Sequence, residues 1–249
     1  SASTHLKVND NLTLSGIALE TGAGSLTLSG ALALTDNASL NSSGGTITLV
    51  SGASAPSGTS ISLPDTTLVL QNDLSLTGAT LKTKNTTFTT NANALSLSNG
   101  SFLEVEGTQN LSGVVPDGTS TLRLTADASI NDSAALSVGT LDLSDFALTL
   151  NDQMAGLSIA QPVTLDAAGE KILTGAADLS LNGGISATAG TLSSTGGTLS
   201  LPGRATFLIG AGADIDNATI NDTSGDRLNI ELTPSTLAAG NYQVDNFRL

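Results

Sequence analysis

Asp214-Ile215-Asp216 sets two carboxylates at positions i and i+2, with Asp222 a few residues on. On a β-strand, residues two apart share a face and stand about 7 Å from each other. Such a trio has the donor chemistry of a divalent-cation site or of an acid–base pair. No neighbouring residues build the enclosed pocket that would shift their titration, so solvated carboxylates beside turns are the expected state. Arg123 and Asp127 are a second pairing, and Arg204 follows Pro202-Gly203 alone. Between Leu122 and Leu124, Arg123 should project outward as a surface charge. His5 lies too near the chain start for a catalytic role. Nothing in the chain reads as a catalytic constellation, and no cofactor is expected.

Other polar motifs have structural explanations. Asn-Asp pairs recur at Asn9-Asp10, Asn72-Asp73, Asn131-Asp132, Asn151-Asp152 and Asn221-Asp222, as Asx turns would require. Gly44-Gly45, Gly183-Gly184 and Gly196-Gly197 lack the continuation of a calcium-binding nonapeptide. Lys82 to Thr90 (KTKNTTFTT) is cationic and Thr-dense. An ice-binding face would need Thr-x-Thr on one side of many successive turns. The motif reads as not recurring in register, so a solvent-facing strand is expected. Asn11-Leu12-Thr13 and Asn85-Thr86-Thr87 match the glycosylation sequon, which this composition produces readily by chance.

The 249 residues include 40 Leu but only six aromatics, one His, one Met and no Cys. Disulfide frameworks, thiolate metal sites and thiol nucleophiles are excluded. Eight Lys and Arg against 22 Asp and Glu give a net charge of −14. Nucleic acid needs clustered cations, and anionic lipid is disfavoured by the same sign. The apolar runs are too short for a membrane-spanning helix, and no signal peptide opens the chain. The start at Ser1-Ala2-Ser3 reads as a mature chain or a fragment.

An apolar-x-apolar unit recurs from end to end and must position all of these groups. Examples are Leu12-Thr13-Leu14, Ile47-Thr48-Leu49, Leu74-Ser75-Leu76, Leu95-Ser96-Leu97, Leu148-Thr149-Leu150 and Leu199-Ser200-Leu201. Alternation with period two and Gly/Asn/Asp/Ser between copies predict short strands with one apolar face. Copies begin at 61, 68, 74, 81, 88, 95 and 103, a step of six to eight residues. Three such steps close a coil of about 21 residues, so the expected fold is all-β. It is a single-domain parallel β-solenoid (β-helix) with about three short strands per coil. About 12 coils, each ~4.8 Å above the last, would make a rod of roughly 55 Å. Residues 1–225 read as solenoid repeats and 226–249 as a terminal coil or cap, where charge and aromatics concentrate. Ser51 to Gly58 reads as a loop bulging from a coil, and Pro116-Asp117-Gly118 as a turn. Leu6-Lys7-Val8 is an ordinary repeat with no cap before it, so a neighbouring copy or domain is expected to cover that edge.

Leu-Thr-Leu-Ser-Gly at 12–16 and again at 26–30, among Asn/Gly/Ser turns, resembles the passenger regions of bacterial filamentous haemagglutinin-like adhesins and autotransporters. The resemblance implies a bacterial extracellular or cell-surface location and a non-catalytic structural or adhesive fibre segment. It implies neighbouring domains or end-to-end self-association, and a host or matrix surface ligand. A carbohydrate-active β-helix enzyme, or a solenoid binding ions on an acidic face, is the alternative. Neither nucleic-acid binding nor membrane insertion is expected.

Overall fold

The computed structural model describes residues 4–201 except 152 and 195, and beyond 201 the strand segments between Thr206 and Val244. Every described element of regular structure is a β-strand, and every strand pairing with a resolved register is parallel. The chain divides into two compact units, Ser1–Leu122 and Arg123–Leu249. Each is a parallel β-solenoid.

In unit 1 three short strands make one coil and a corner separates each from the next. The first sheet stacks His5–Val8, Ser25–Leu28, Thr46–Leu49, Thr67–Leu70 and Thr87–Thr89. The second stacks Leu12–Ser15, Leu32–Thr35, Ala53–Ala55, Leu74–Thr77, Leu95–Ser98 and Val114–Pro116. The third stacks Ala18–Gly22, Ser39–Ser42, Ser60–Pro64, Thr80–Lys84 and Phe102–Gln109. Leu6 pairs with Leu26, Leu26 with Ile47, and Leu81 with Leu103, steps of 20, 21 and 22 residues. Ala53 and Ala55 correct the expected loop at Ser51 to Gly58: they form a strand with both methyls buried, on Leu74 and Leu76. Alanine signals no periodicity by size, yet fills the position that Leu occupies one coil on.

Inward positions form aliphatic columns. Leu19, Leu40, Ile61, Leu81 and Leu103 make one, and Leu40 to Leu103 are at most 1% exposed. A single coil encloses nothing; each Leu gains its roughly 1.5–3 kcal/mol of burial from the coils on either side. At the corner between second and third sheets the buried positions carry small residues, Ala38, Thr59, Ala79, Ser101 and Ser120, all at most 1% exposed. The buried hydroxyls are satisfied locally, as where Ser120 Oγ donates to the Leu97 carbonyl at 3.0 Å.

At the corner between third and first sheets the backbone turns through left-handed φ, at +52° in Asp65, +47° in Asn85 and +69° in Gly107. Gly, Asn and Asp are the residues that enter this region most readily. Behind them a polar column replaces the aliphatic one. Ser42, Thr66, Thr86 and Gln109 are all buried; Thr66 Oγ1 lies 3.0 Å from Ser42 Oγ, and the Thr86 amide donates to Gln109 Oε1 at 3.3 Å.

Unit 2 follows the same plan with less even corners. One sheet stacks Ala128–Ile130 of the strand Thr121–Ile130, then Ala147–Leu150, Lys171–Gly175, Thr191–Ser194, Asp214–Asp216 and Thr236–Leu237. Another stacks Ala135–Val138, Gly156–Ile159, Asp178–Leu181, Thr198–Ser200, Thr219–Asp222 and Tyr242–Val244. The last contains Val163–Leu165, Gly184–Ala187, Thr206–Ile209 and Asn229–Leu232. Leu148 pairs with Ile172, 24 residues on, and Ile172 with Leu192, 20 on. The extra residues sit in a corner closed by Glu170, whose carboxylate accepts the Asp166 amide at 2.6 Å and the Ala167 amide at 3.1 Å.

Candidate functional site

The carboxylate trio is distributed over two sheets. Asp214 and Asp216 flank Ile215 on one strand, at the register positions of Thr191 and Ser193. Asp222 ends a strand of a different sheet, level with Val244. The side chains of all three lie outside the described residues, as do Arg204 and most of the expected cap at 226–249. Among the described residues, no three His, Cys, Asp or Glu side chains converge to hold a metal ion.

Arg123 is half-exposed, as its place between two leucines predicts, but its partner is Asp142 rather than Asp127. Arg123 Nε donates to Asp142 Oδ2 at 2.8 Å, and Ser144 Oγ donates to the other oxygen, also at 2.8 Å. Burial pushes the Asp142 carboxyl up; those two hydrogen bonds and the guanidinium charge outweigh it and hold the carboxyl below its ordinary range. Asp127 instead accepts the Ala147 backbone amide at 2.9 Å. His5 Nε2 lies 3.0 Å from Thr27 Oγ1 in the next coil.

Asp127 belongs to a pattern that the Asn-Asp pairs only hinted at. Asn11 accepts the Ala31 amide, Asp73 the Ala94 amide and Asp178 the Thr198 amide, each at 2.9 Å. Each acceptor is separated by 20 or 21 residues from its donor; Asn11, Asp73 and Asp178 stand at or beside a strand start, and Asp127 just before the paired stretch Ala128–Ile130. The side chain thus supplies an acceptor where one coil meets the next. Local Asx turns occur too: Asp132 accepts the Ala134 amide and Asn151 the Gln153 amide. Asn11 and Asn85 of the sequons both bond between coils, Asn85 Nδ2 donating to Asp65 Oδ1 at 3.0 Å.

Three outward faces of unit 1 differ in chemistry. The third sheet is charged: Glu20, Asn41, Ser62, Lys82 and Glu104 stand in one column. Lys82 pairs with Glu104 at 3.1 Å and Lys84 with Glu106 at 2.6 Å. The second sheet carries a serine column, Ser54, Ser75 and Ser96, and in unit 2 Ser137, Ser158, Ser180 and Ser200 align likewise.

The first sheet corrects the expectation for Lys82 to Thr90. That segment turns a corner: Lys82 and Lys84 face outward on the third sheet, while Thr87 and Thr89 face outward on the first. Below Thr87 stand Thr67, Thr46, Ser25 and, in the first coil, His5; below Thr89 stand Val69, Thr48, Thr27 and Lys7. Hydroxyl-x-hydroxyl pairs therefore do recur in register, in three of the four successive coils from Ser25 to Thr89, Val69 breaking the pair in the other. Thr46-Ile47-Thr48 repeats the motif outright, whereas in the coils at 25 and 67 Ser25 and Val69 break the literal Thr-x-Thr string.

No helix of the described residues is long and apolar enough to cross a membrane. No family model, no curated protein and no solved structure matches the chain.

Proposed function

We propose that the chain is a non-catalytic structural and adhesive segment of an exported bacterial surface protein, its coils serving as spacer and its outward faces as contact surface. One observation carries the reading: in each unit the apolar side of a strand is covered by the same side of the strand one coil on. Such a stack lengthens by adding coils without a new core, which suits a fibre. The Leu-Thr-Leu-Ser-Gly texture and the acidic balance of the chain support the same reading. Partners on this view are adjoining coils at the open edge of the first coil, and a ligand on a host or matrix surface.

The test displays the full chain on a non-adherent bacterium, with a scrambled-surface control, and scores binding to host cells and extracellular matrix. Specific attachment is expected. Turnover of acidic polysaccharide by the purified chain, without attachment, would replace the proposal with the enzymatic alternative.

A further inference from the structure

We infer that the first sheet of unit 1 is an ice-binding face. Over four successive coils its two outward columns are Ser25, Thr46, Thr67, Thr87 and Thr27, Thr48, Val69, Thr89, and the first coil sets His5 and Lys7 at their ends. Of the eight positions in those four coils seven carry a hydroxyl and none carries a charge, in a chain whose net charge is −14. Neighbours along a strand stand roughly 6.6 Å apart and neighbours between coils about 4.8 Å apart. This two-dimensional repeat is close to that of water oxygens on a prism face of ice.

Spacing alone would not suffice; the array must also be stiff. No bulge interrupts the register from Ser25 to Thr89, whereas the third sheet slips between Glu20 and Gly22. Beneath the face, Leu26, Ile47 and Leu68 are at most 1% exposed and lock the strands from inside. Threonine is β-branched and restricted at χ1, so each hydroxyl and methyl is held in place.

The hydroxyls are also available. Among the described residues, Thr46, Thr48, Thr67, Thr87 and Thr89 make no side-chain hydrogen bond to the protein, while Thr27 meets His5 and Ser25 accepts the Thr46 amide. Each free hydroxyl can join a water lattice as donor and acceptor, and the adjacent methyl orders water over itself. A charged side chain would keep its own mobile hydration shell; the columns contain none over the four coils from Ser25 to Thr89, and Lys7 lies beyond them at the edge of the array. A crystalline polysaccharide is the competing occupant. Sugar rings are gripped by flat aromatic surfaces, and the one aromatic here, Phe88, faces inward between Thr87 and Thr89.

The inference stands independently of the surface-fibre reading. A dilute solution of the full chain is frozen slowly onto a cold finger, and protein in ice and in residual liquid is measured by amide absorbance. Retention in ice is expected, with loss in Thr48→Lys, no loss in Ser75→Lys on the second sheet, and a gain in Val69→Thr, which completes the lattice. Exclusion of the wild-type chain from ice would overturn the inference, as would equal loss in the two lysine variants. Should Thr48→Lys perturb the circular dichroism spectrum, Val69→Thr decides: a gain sustains the inference and no change refutes it. Thr48-dependent binding to crystalline cellulose without retention in ice also refutes it.

Discussion

At the scale of single residues, the side chains that shape this chain are short acceptors placed where coils meet. Asp73 takes the Ala94 amide at 2.9 Å, and its replacement by alanine leaves that donor without its partner. Asp73→Ala should cost about 1 kcal/mol, the order found when a capping side chain is removed, read as a lower urea midpoint at unchanged slope. The sequence announces the turn around Asn72-Asp73 but not this bond, because the donor lies 21 residues away and alanine gives no sign of it. Asp142 carries the second prediction. Its carboxyl titrates below the ordinary range in the folded chain, the hydrogen bonds from Arg123 and Ser144 prevailing over burial. Stability from a depressed carboxylate is complete above its unfolded pKa of about 3.9 and is lost as pH falls through the lower folded value. Asp142→Asn should therefore be less stable than wild type at pH 7, by no more than about 1 kcal/mol for so exposed a pair. The gap should close as both chains are acidified toward pH 2, in denaturation series run at each pH.

At the scale of elements, the steps at 61, 68, 74, 81, 88, 95 and 103 fall in turn on the third, first, second, third, first, second and third sheets. That much was legible because leucine alternation is the physical cause of the inward columns. Ala53–Ala55 was not, since small apolar residues carry the same alternation without the contrast that makes it visible. The columns imply that a residue's weight depends on having coils on both sides. Leu81, fully buried between Ile61 and Leu103, should lose about 2–5 kcal/mol on change to alanine, through lost transfer energy and an unfilled cavity. Leu6 is likewise the first apolar residue of an apolar-x-apolar unit, on the first sheet, but is 51% exposed, with a described coil on one side only. Leu6→Ala should fall within about 0.5 kcal/mol of wild type, as for most surface substitutions. Parallel urea titrations of the two variants measure the contrast. Equal losses would mean that burial by adjacent coils is not what holds the columns.

At the scale of the whole chain, the repeat length was readable, whereas the division after Leu122 was not, because Leu122-Arg123-Leu124 continues the pattern without a break. Net charge and open edges act at this scale together. Among the described residues, the strands His5–Val8, Leu12–Ser15 and Ala18–Gly22 of the first coil each have one neighbour. Ile17 is 57% exposed at the same edge, beside half-exposed Leu6. Unpaired parallel edges of this kind favour association, and the charge of −14 opposes it by repulsion between copies. Acid removes the repulsion, because the chain reaches zero net charge at a pH near 4.1. Sedimentation velocity should therefore give small species at pH 7 in low salt and larger ones as the pH approaches that value. Salt at pH 7 should move the distribution the same way, since at about 0.15 M charges are screened beyond about 8 Å. Leu6→Lys puts a charge on the edge itself and should suppress the acid-induced species, while Lys82→Ala on the third face should not. If Leu6→Lys leaves that association untouched, the edge is not its seat, and neutralised acidic faces hold the copies together instead.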